Sequence, residues 1–549
     1  MKIHLACLIA ICLSLSAFAD ITDWDQRVFQ FAQSPQWLGH FFYQRAAGGY
    51  ASLVKSPAYF LTTEGRVSPE KELRAAIDFL MTPPPLDEKK YCQYVGRFDL
   101  ILDHFSDLRK PHHHCAAFES WFAALEIDEV RFSFATGYMK NPASSFGHLF
   151  LKLISKKQKA ELLNYGISFS AHTGADTGVQ YALKGLFGQY PGGFSFLPYH
   201  QLIKDYSDLE GRDIWEMNLE MNSEQIKRLL LFIYEFDGDY IDYTFLTNNC
   251  AGILEYLIFN LKSEVVTGLK PWRIPLESFL RVYEDSENKE LYYHASLKTQ
   301  QKSMEQKLSG KEKQSIKQES LNKDFSKLGP NEIDYILLDK KSYTDREFDE
   351  NYYHQLLLAR SKQPVSKIEN SIEKPRFQRK KTSSMSLVAE PDGAGIKLDL
   401  LTDRLLYRQS LSEINILNFK IYKNHLRELN IFDFLAGESA SFLRQPVSFG
   451  GGISYLDGKG LIGNASLGLI YSAADWIYFP KLRLQGGDFS PELDLYFFME
   501  LVHTKVSASA YRHQVEILKL VDAYSASMSY SYNIETRSEN IEFTVGRFF

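Results

Sequence analysis

The chain of 549 residues is long enough for about two to four domains, and its 45% hydrophobic content belongs to folded protein rather than to a disordered tail. Its 62 basic and 68 acidic residues give a net charge of −6. That balance leaves no overall electrostatic footprint for nucleic acid, which is excluded as a partner class.

The first twenty residues, MKIHLACLIAICLSLSAFAD, hold a basic second residue, an apolar run from Leu5 to Leu15 and the small-x-small ending Ala17-Phe18-Ala19. This pattern predicts a secretory signal over 1–19, cleaved after Ala19. The apolar run is short for a membrane span, and no cysteine stands at the cleavage point to accept a lipid. Export would leave Cys92, Cys115 and Cys250 in an oxidising compartment. Cys92 and Cys115 flank one helix-like stretch and are the natural disulfide pair, so Cys250 is the odd thiol.

Residues 20–90 carry helical apolar spacing broken by Pro35, Pro57 and TPPPL, which predicts a helical N-terminal domain. From 91 to 280 short strand-like runs (VRFSFAT, GHLFLKLIS, ELLNYGISFS) precede a Gly-rich loop and the helix opening at NSEQIKRLLLFIYEF, an α+β order. Residues 281–385 read as a charged helical connector of exposed helices and linker. Residues 386–549 hold strand-like runs separated by Gly, Asp and Asn turns. Within them AYSASMSYSYNI alternates aromatic or apolar residues with serines at period two. The ending IEFTVGRFF sets Ile541, Phe543 and Val545 on one face with Phe549, interrupted by Arg547, and resembles the last strand of outer-membrane β-barrels. Other strands suit a membrane barrel or a soluble β-domain equally, and both remain open on sequence grounds.

Chemistry points to TNNCAGILEYLIFN, residues 247–260. Ile253, Leu254, Leu257 and Ile258 recur on one helical face, and Asn248 or Asn249 can cap the helix, which sets Cys250 in its first turn. Unpaired N–H groups there favour a thiolate and can bind an oxyanion, with an asparagine amide as a second donor. Alone, such a cysteine is more often a buried structural residue. The candidate base is His148 in NPASSFGHLFLKL. If 146–154 and 161–170 form a hairpin, Leu149, Leu151 and Leu153 share a face, and His148 falls on the other beside Asn164, Gly166 and Ser168. A helix packed on that face would bring the nucleophile to it, with Asn164 or Ser168 orienting the ring. Three adjacent histidines at 112–114 point in different directions and lack metal-ligand spacing, so no metal or cofactor is expected. Glu210, Arg212 and Asp213 read as a structural ion-pair network.

The succession NPASSFGHLFLKL, LLNYGISFSA, GLFGQYPGGFSFLPYHQLIKDYSDLEGRDIWEMNL and YTFLTNNCAGILEYL resembles the Lnb N-terminal periplasmic domain family over residues 91–280. YCQYVGRFDLI and HHHCAAFESW look like that family's paired cysteines, although Gln93 and Val95 replace residues common there. The order of histidine on a strand, polar residue on the next and cysteine at a helix start is also similar to circularly permuted papain-like enzymes. The resemblance implies Cys250 as nucleophile and His148 as general base, with Asn164 a weaker candidate to orient the ring. The expectation is a periplasmic thiol-dependent hydrolase or acyltransferase acting on peptidoglycan, or on lipids or lipoproteins, through a Cys250 thioester. The alternative is a non-catalytic binding or assembly module held at the outer membrane by the C-terminal β-domain.

Overall fold

The computed structural model describes residues 23–548 apart from 83–87, 109–114, 139–143, 145, 177, 263–271, 323–324, 343–348, 365–382 and short stretches of the last domain, the longest being 439–447. The signal segment 1–19, the histidines at 112–114 and Phe549 lie outside the described residues.

One hydrophobic core runs from Val28 to Tyr283, so the N-terminal helices and the α+β region that follows are packed as a unit. Sequence accounts for each helix locally. Ser34 Oγ accepts from the Trp37 N–H at 3.2 Å to start Pro35–His40, and Ser68 caps Pro69–Leu80. The latter helix buries Leu73, Ala76, Ile77 and Leu80, one stripe at helical spacing. A hairpin of β1 (Tyr43–Ala46) and β2 (Gly49–Ser52) interrupts the helices, turning at Gly48 with φ +88°. Cys92 and Cys115 form a disulfide with Cα atoms 5.4 Å apart.

Arg97, fully buried, ties this region together. Its Nε meets Glu235 at 2.7 Å, its Nη1 meets Glu72 at 2.8 Å, and its Nη2 donates to the Tyr59 carbonyl at 2.7 Å. Glu235 also accepts from the Arg97 backbone N–H and pairs with His40.

The α+β region is built on an antiparallel sheet of β3 (Ile127–Ala135), β4 (His148–Ser155), β5 (Tyr165–Ala171), β6 (Tyr190–Pro198), β7 (Ile214–Asn218), β8 (Ile241–Tyr243) and β9 (Tyr292–His294), in the order β8-β6-β5-β4-β3-β7-β9. On one face Leu149, Leu151, Leu153 and Ile167 join the main core with the helices Ser223–Glu235, Cys250–Leu261 and Pro275–Asp285. On the other, Phe150, Ile214 and Ala135 pack against Tyr199, Leu202 and Ile203. Those three belong to the helix Tyr199–Leu202 and the π-helical turn Ile203–Leu209 that continues it, a local form frequent at functional sites.

Four helices follow, Leu297–Lys307, Gly310–Asn322, Pro330–Ser342 and Glu350–Ser361, and their charge is misleading. They enclose a small core of their own around Ile316, Phe325, Ile333, Ile336 and Leu356. Asp213 anchors them to the sheet by accepting from Tyr293 Oη, the Ser296 N–H and Thr299 Oγ1.

The last domain is a closed barrel of twelve strands among the described residues. Each strand runs antiparallel to its neighbours. The ring joins its first strand, Ser384–Glu390, to its last, Ser538–Phe548, and joins Gly460–Gly468 to Trp476–Gln485, leaving Tyr471–Ala473 as a short flap on the latter. Alternation is inverted relative to a water-soluble β-domain. Phe543 (51% exposed) and Val545 (62%) project outward, whereas Glu542 and Thr544 point in. In Tyr524–Asn533, Ala526 and Met528 face out and Ser525, Ser527 and Ser529 face in. Inside, Lys420 bridges Glu390 (2.7 Å) and Glu542 (2.5 Å), and Lys481 pairs with Asp494 (2.5 Å). An apolar exterior, a polar lumen and the absence of an unpaired edge are what a bilayer demands of strands. The sequence left a soluble β-domain open, and closure with this alternation decides for an outer-membrane barrel. No helix among the described residues is long and apolar enough to cross a membrane. The full chain is expected to stay monodisperse only in detergent; a soluble monomer in detergent-free size-exclusion chromatography would contradict the barrel.

Candidate active site around Cys250

The helix Cys250–Leu261 begins where expected. Asn249 caps it, its Oδ1 accepting from the Gly252 N–H at 2.9 Å. Its Nδ2 is also occupied, donating to the carbonyls of Phe245 (2.9 Å) and Arg273 (2.7 Å). The Asn248 amide donates to the Asp242 carbonyl at 3.4 Å. The Asn249 amide therefore has no proton spare for an oxyanion, whereas Asn248 spends one of its two.

Cys250 is the free cysteine among the described residues and is 3% exposed. Burial pushes its thiol up to about 11, against four groups that favour the thiolate: the backbone N–H groups of Leu149 and Ala251, the Arg212 charge and the Tyr243 hydroxyl. The sulfur thus lies at the peptide joining His148 to Leu149, where β4 begins.

His148 occupies the face predicted for it, its Nε2 3.0 Å from Ser168 Oγ. Its ring lies 5.1 Å from that of Tyr206. Burial, reinforced by the Arg212 charge, pulls the imidazole down to about 3, so it is neutral at neutral pH and keeps an acceptor nitrogen. The packing differs from expectation in one respect. The Cys250 helix lies on the Leu149 face of the sheet, while His148 points to the Tyr206 face, because side chains alternate along β4. The two elements meet at their first residues, and no hydrogen bond joins Cys250 to His148 among the described residues.

Asn164 does not orient the histidine. Its Oδ1 accepts from the Ser155 N–H and its Nδ2 donates to the Glu161 carbonyl, both at 3.0 Å, so it staples the far end of the β4–β5 hairpin. Ser168 takes the orienting place, two positions further along β5 than Gly166, which pairs with Lys152.

Glu210, Arg212 and Asp213 separate in function. Asp213 secures the following helices, as described above. Arg212, 1% exposed, pairs through Nε with Glu210 at 2.7 Å and has the rings of Tyr138 and Tyr206 near its guanidinium, 5.2 and 5.3 Å to their centroids. Its charge reaches both Cys250 and His148. Sequence reasoning missed Tyr206, Tyr243 and this placement of Arg212. A tyrosine seven residues before a cysteine, or an arginine in a turn, carries no periodic signal. The cluster of Asp99, Asp103 and Glu224 that could hold a cation is already engaged by Lys227 and Arg228.

Comparison with known proteins gives two family matches: the Lnb N-terminal periplasmic domain over residues 117–285, and a domain of unknown function (DUF7843) over 29–104. A search of curated proteins finds no match. Among solved structures, the chain is similar to the KdgM porin in complex with disordered oligogalacturonate (10% identity, 30% of this chain and 98% of that one, TM-score 0.22) and to the NanC porin (8% identity, 30% and 99%, TM-score 0.22). The first family match contains the sheet, His148, Arg212 and Cys250. Residues 117–285 are thus similar to the Lnb N-terminal periplasmic domain family, and they stand in the same chain as a closed twelve-stranded β-barrel.

Proposed function

We propose that the periplasmic domain is a thiol-dependent acyl hydrolase or acyltransferase, acting on an acyl or amide bond of the cell envelope through a thioester on Cys250. The observation that carries this reading is the place of Cys250 in the first turn of its helix, where the Leu149 and Ala251 N–H groups, the Arg212 charge and the Tyr243 hydroxyl all act to favour its thiolate. A cysteine that only fills space needs no donors, whereas a thiolate and the oxyanion that follows it need them. In the reaction the Cys250 proton passes to neutral His148, and the sulfur attacks the carbonyl carbon. The leaving amine or alcohol takes the proton back, and water or a second nucleophile then opens the thioester. Ser168, with its Oγ 3.0 Å from His148 Nε2, fixes the ring.

The test is intact-mass measurement of the full chain in detergent after incubation with phospholipids or with peptidoglycan fragments. A hydroxylamine-labile adduct on Cys250 supports the reading, and its absence with both substrate classes overturns it.

One observation favours a second reading, a non-catalytic envelope module: the resting thiol is neutral, buried and not bonded to His148. Alkylation rates against pH separate the two. The free protein is expected to show a midpoint near 11. A fall to below about 8.5 when lipid or glycan fragments are added marks an activated thiolate, and an unmoved midpoint marks the binding module.

A further inference from the structure

Two arginines in this chain are buried to the same degree and treated differently. Arg97 spends its guanidinium on Glu235, Glu72 and the Tyr59 carbonyl. Arg212 has the Glu210 carboxylate 2.7 Å from its Nε as an ion pair, yet among the described residues none of Nε, Nη1 and Nη2 makes a hydrogen bond, although all three are shielded from water. Buried donors left unmade each cost about 1–3 kcal/mol, more when charged, and native structures rarely keep them without a use. Nor is the side chain loosely placed. Its guanidinium lies 5.2 Å from the Tyr138 ring and 5.3 Å from the Tyr206 ring, and Tyr206 in turn packs on His148. The unspent edge of the guanidinium is the one that receives two side-by-side oxygens.

We propose that Arg212 is the substrate-anchoring residue of the Cys250 site, and that its two terminal nitrogens take an anionic group with paired oxygens, a carboxylate or a phosphate ester, carried by the substrate. The inference rests on reading this site as a substrate site and is independent of whether the thiol reacts. It limits the substrate class: a neutral ester or amide without a nearby anion leaves Arg212 unpaired. It also assigns the Arg212–Glu210 pair a role in holding the guanidinium ready, since Glu210 engages Nε and leaves the paired edge open.

The experiment uses the full chain in detergent carrying Cys250→Ala, so that binding is read without chemistry. Inorganic phosphate and acetate are compared with chloride at matched ionic strength, and the melting temperature of the periplasmic domain is followed by tryptophan fluorescence. Phosphate, acetate or both are expected to raise it in a saturable way while chloride does not. The stronger of the two tells a phosphate ester from a carboxylate. Arg212→Gln is expected to abolish the response. Arg212→Lys keeps the charge but loses the fork and is expected to weaken it, and Glu210→Gln, which removes the ion pair that holds the guanidinium, is expected to weaken it without abolishing it. If Arg212→Gln fails to fold, the lysine and Glu210 variants decide. A response equal in Arg212→Lys and the parent, or no oxyanion-specific response at all, overturns the proposal. Either result leaves the thioester test on Cys250 standing by itself.

Discussion

Replacing Cys250 with alanine is expected to lower turnover of the acyl or amide substrate by about 10³–10⁶-fold, the range seen when a covalent nucleophile is removed. His148→Ala is expected to cost about 10²–10⁴-fold as a lost general base, and Ser168→Ala less, since it only orients the ring. Both variants should bind substrate normally, so the loss falls on kcat. The pH profile follows from burial. His148 titrates at about 3 and is unprotonated across the neutral range, so no acid limb from it appears above roughly pH 4, and its basicity has to rise when substrate binds for it to take the thiol proton. The Cys250 thiol titrates at about 11, so the rate should rise with pH through neutrality instead of levelling off near 7. Steady-state rates on whichever substrate gives the Cys250 adduct provide the check. A Cys250→Ala protein with wild-type turnover would end the catalytic reading.

The second large effect is on stability. Arg97→Met leaves Glu72 and Glu235 facing each other in a dry core without their cation, and such a break typically costs about 3–5 kcal/mol. For a unit of this size that corresponds to a fall of about 6–20 °C in melting temperature, which buried Trp37 reports by fluorescence. Adding Glu72→Gln and Glu235→Gln to Arg97→Met should recover part of the loss, because the uncompensated charge is removed. An unchanged melting temperature for Arg97→Met would mean that the triad does not hold the N-terminal helices to the domain. Acid probes the same network. Although burial opposes it, Arg97 and then His40 hold the Glu235 carboxyl down to about 2, below its unfolded value of roughly 4.3. Its contribution is therefore present above that unfolded value and fades as pH falls toward 2.

Local signals in the sequence carried well. Caps, the His148 face of the hairpin, the cysteine pair and the period-two strands all follow from one-dimensional patterns, and each is realised in the structure. What was not legible is set by packing between distant segments. Asn164 and Ser168 are equivalent on a face diagram, but only strand register places Ser168 beside His148. The face on which the Cys250 helix packs depends on where its apolar stripe finds Leu149 and Ile167, and no spacing in the chain states that. Likewise the four helices after residue 297 look fully solvated because few apolar residues serve each, yet their sum closes a core. Barrel closure was undecided for a related reason: each strand pattern is shared by two architectures, and only the join of first to last strand separates them.

The neutral, sequestered state of Cys250 has a consequence for the life of the protein outside the cytoplasm. Thiol–disulfide exchange proceeds through the thiolate and needs access to the sulfur. A chain that forms the Cys92–Cys115 disulfide passes through an environment that oxidises exposed thiols, and a third cysteine invites mispairing or overoxidation. Folding removes Cys250 from that competition by hiding it at 3% exposure and suppressing its ionisation. The same burial that makes the resting thiol sluggish is what keeps it reduced and available.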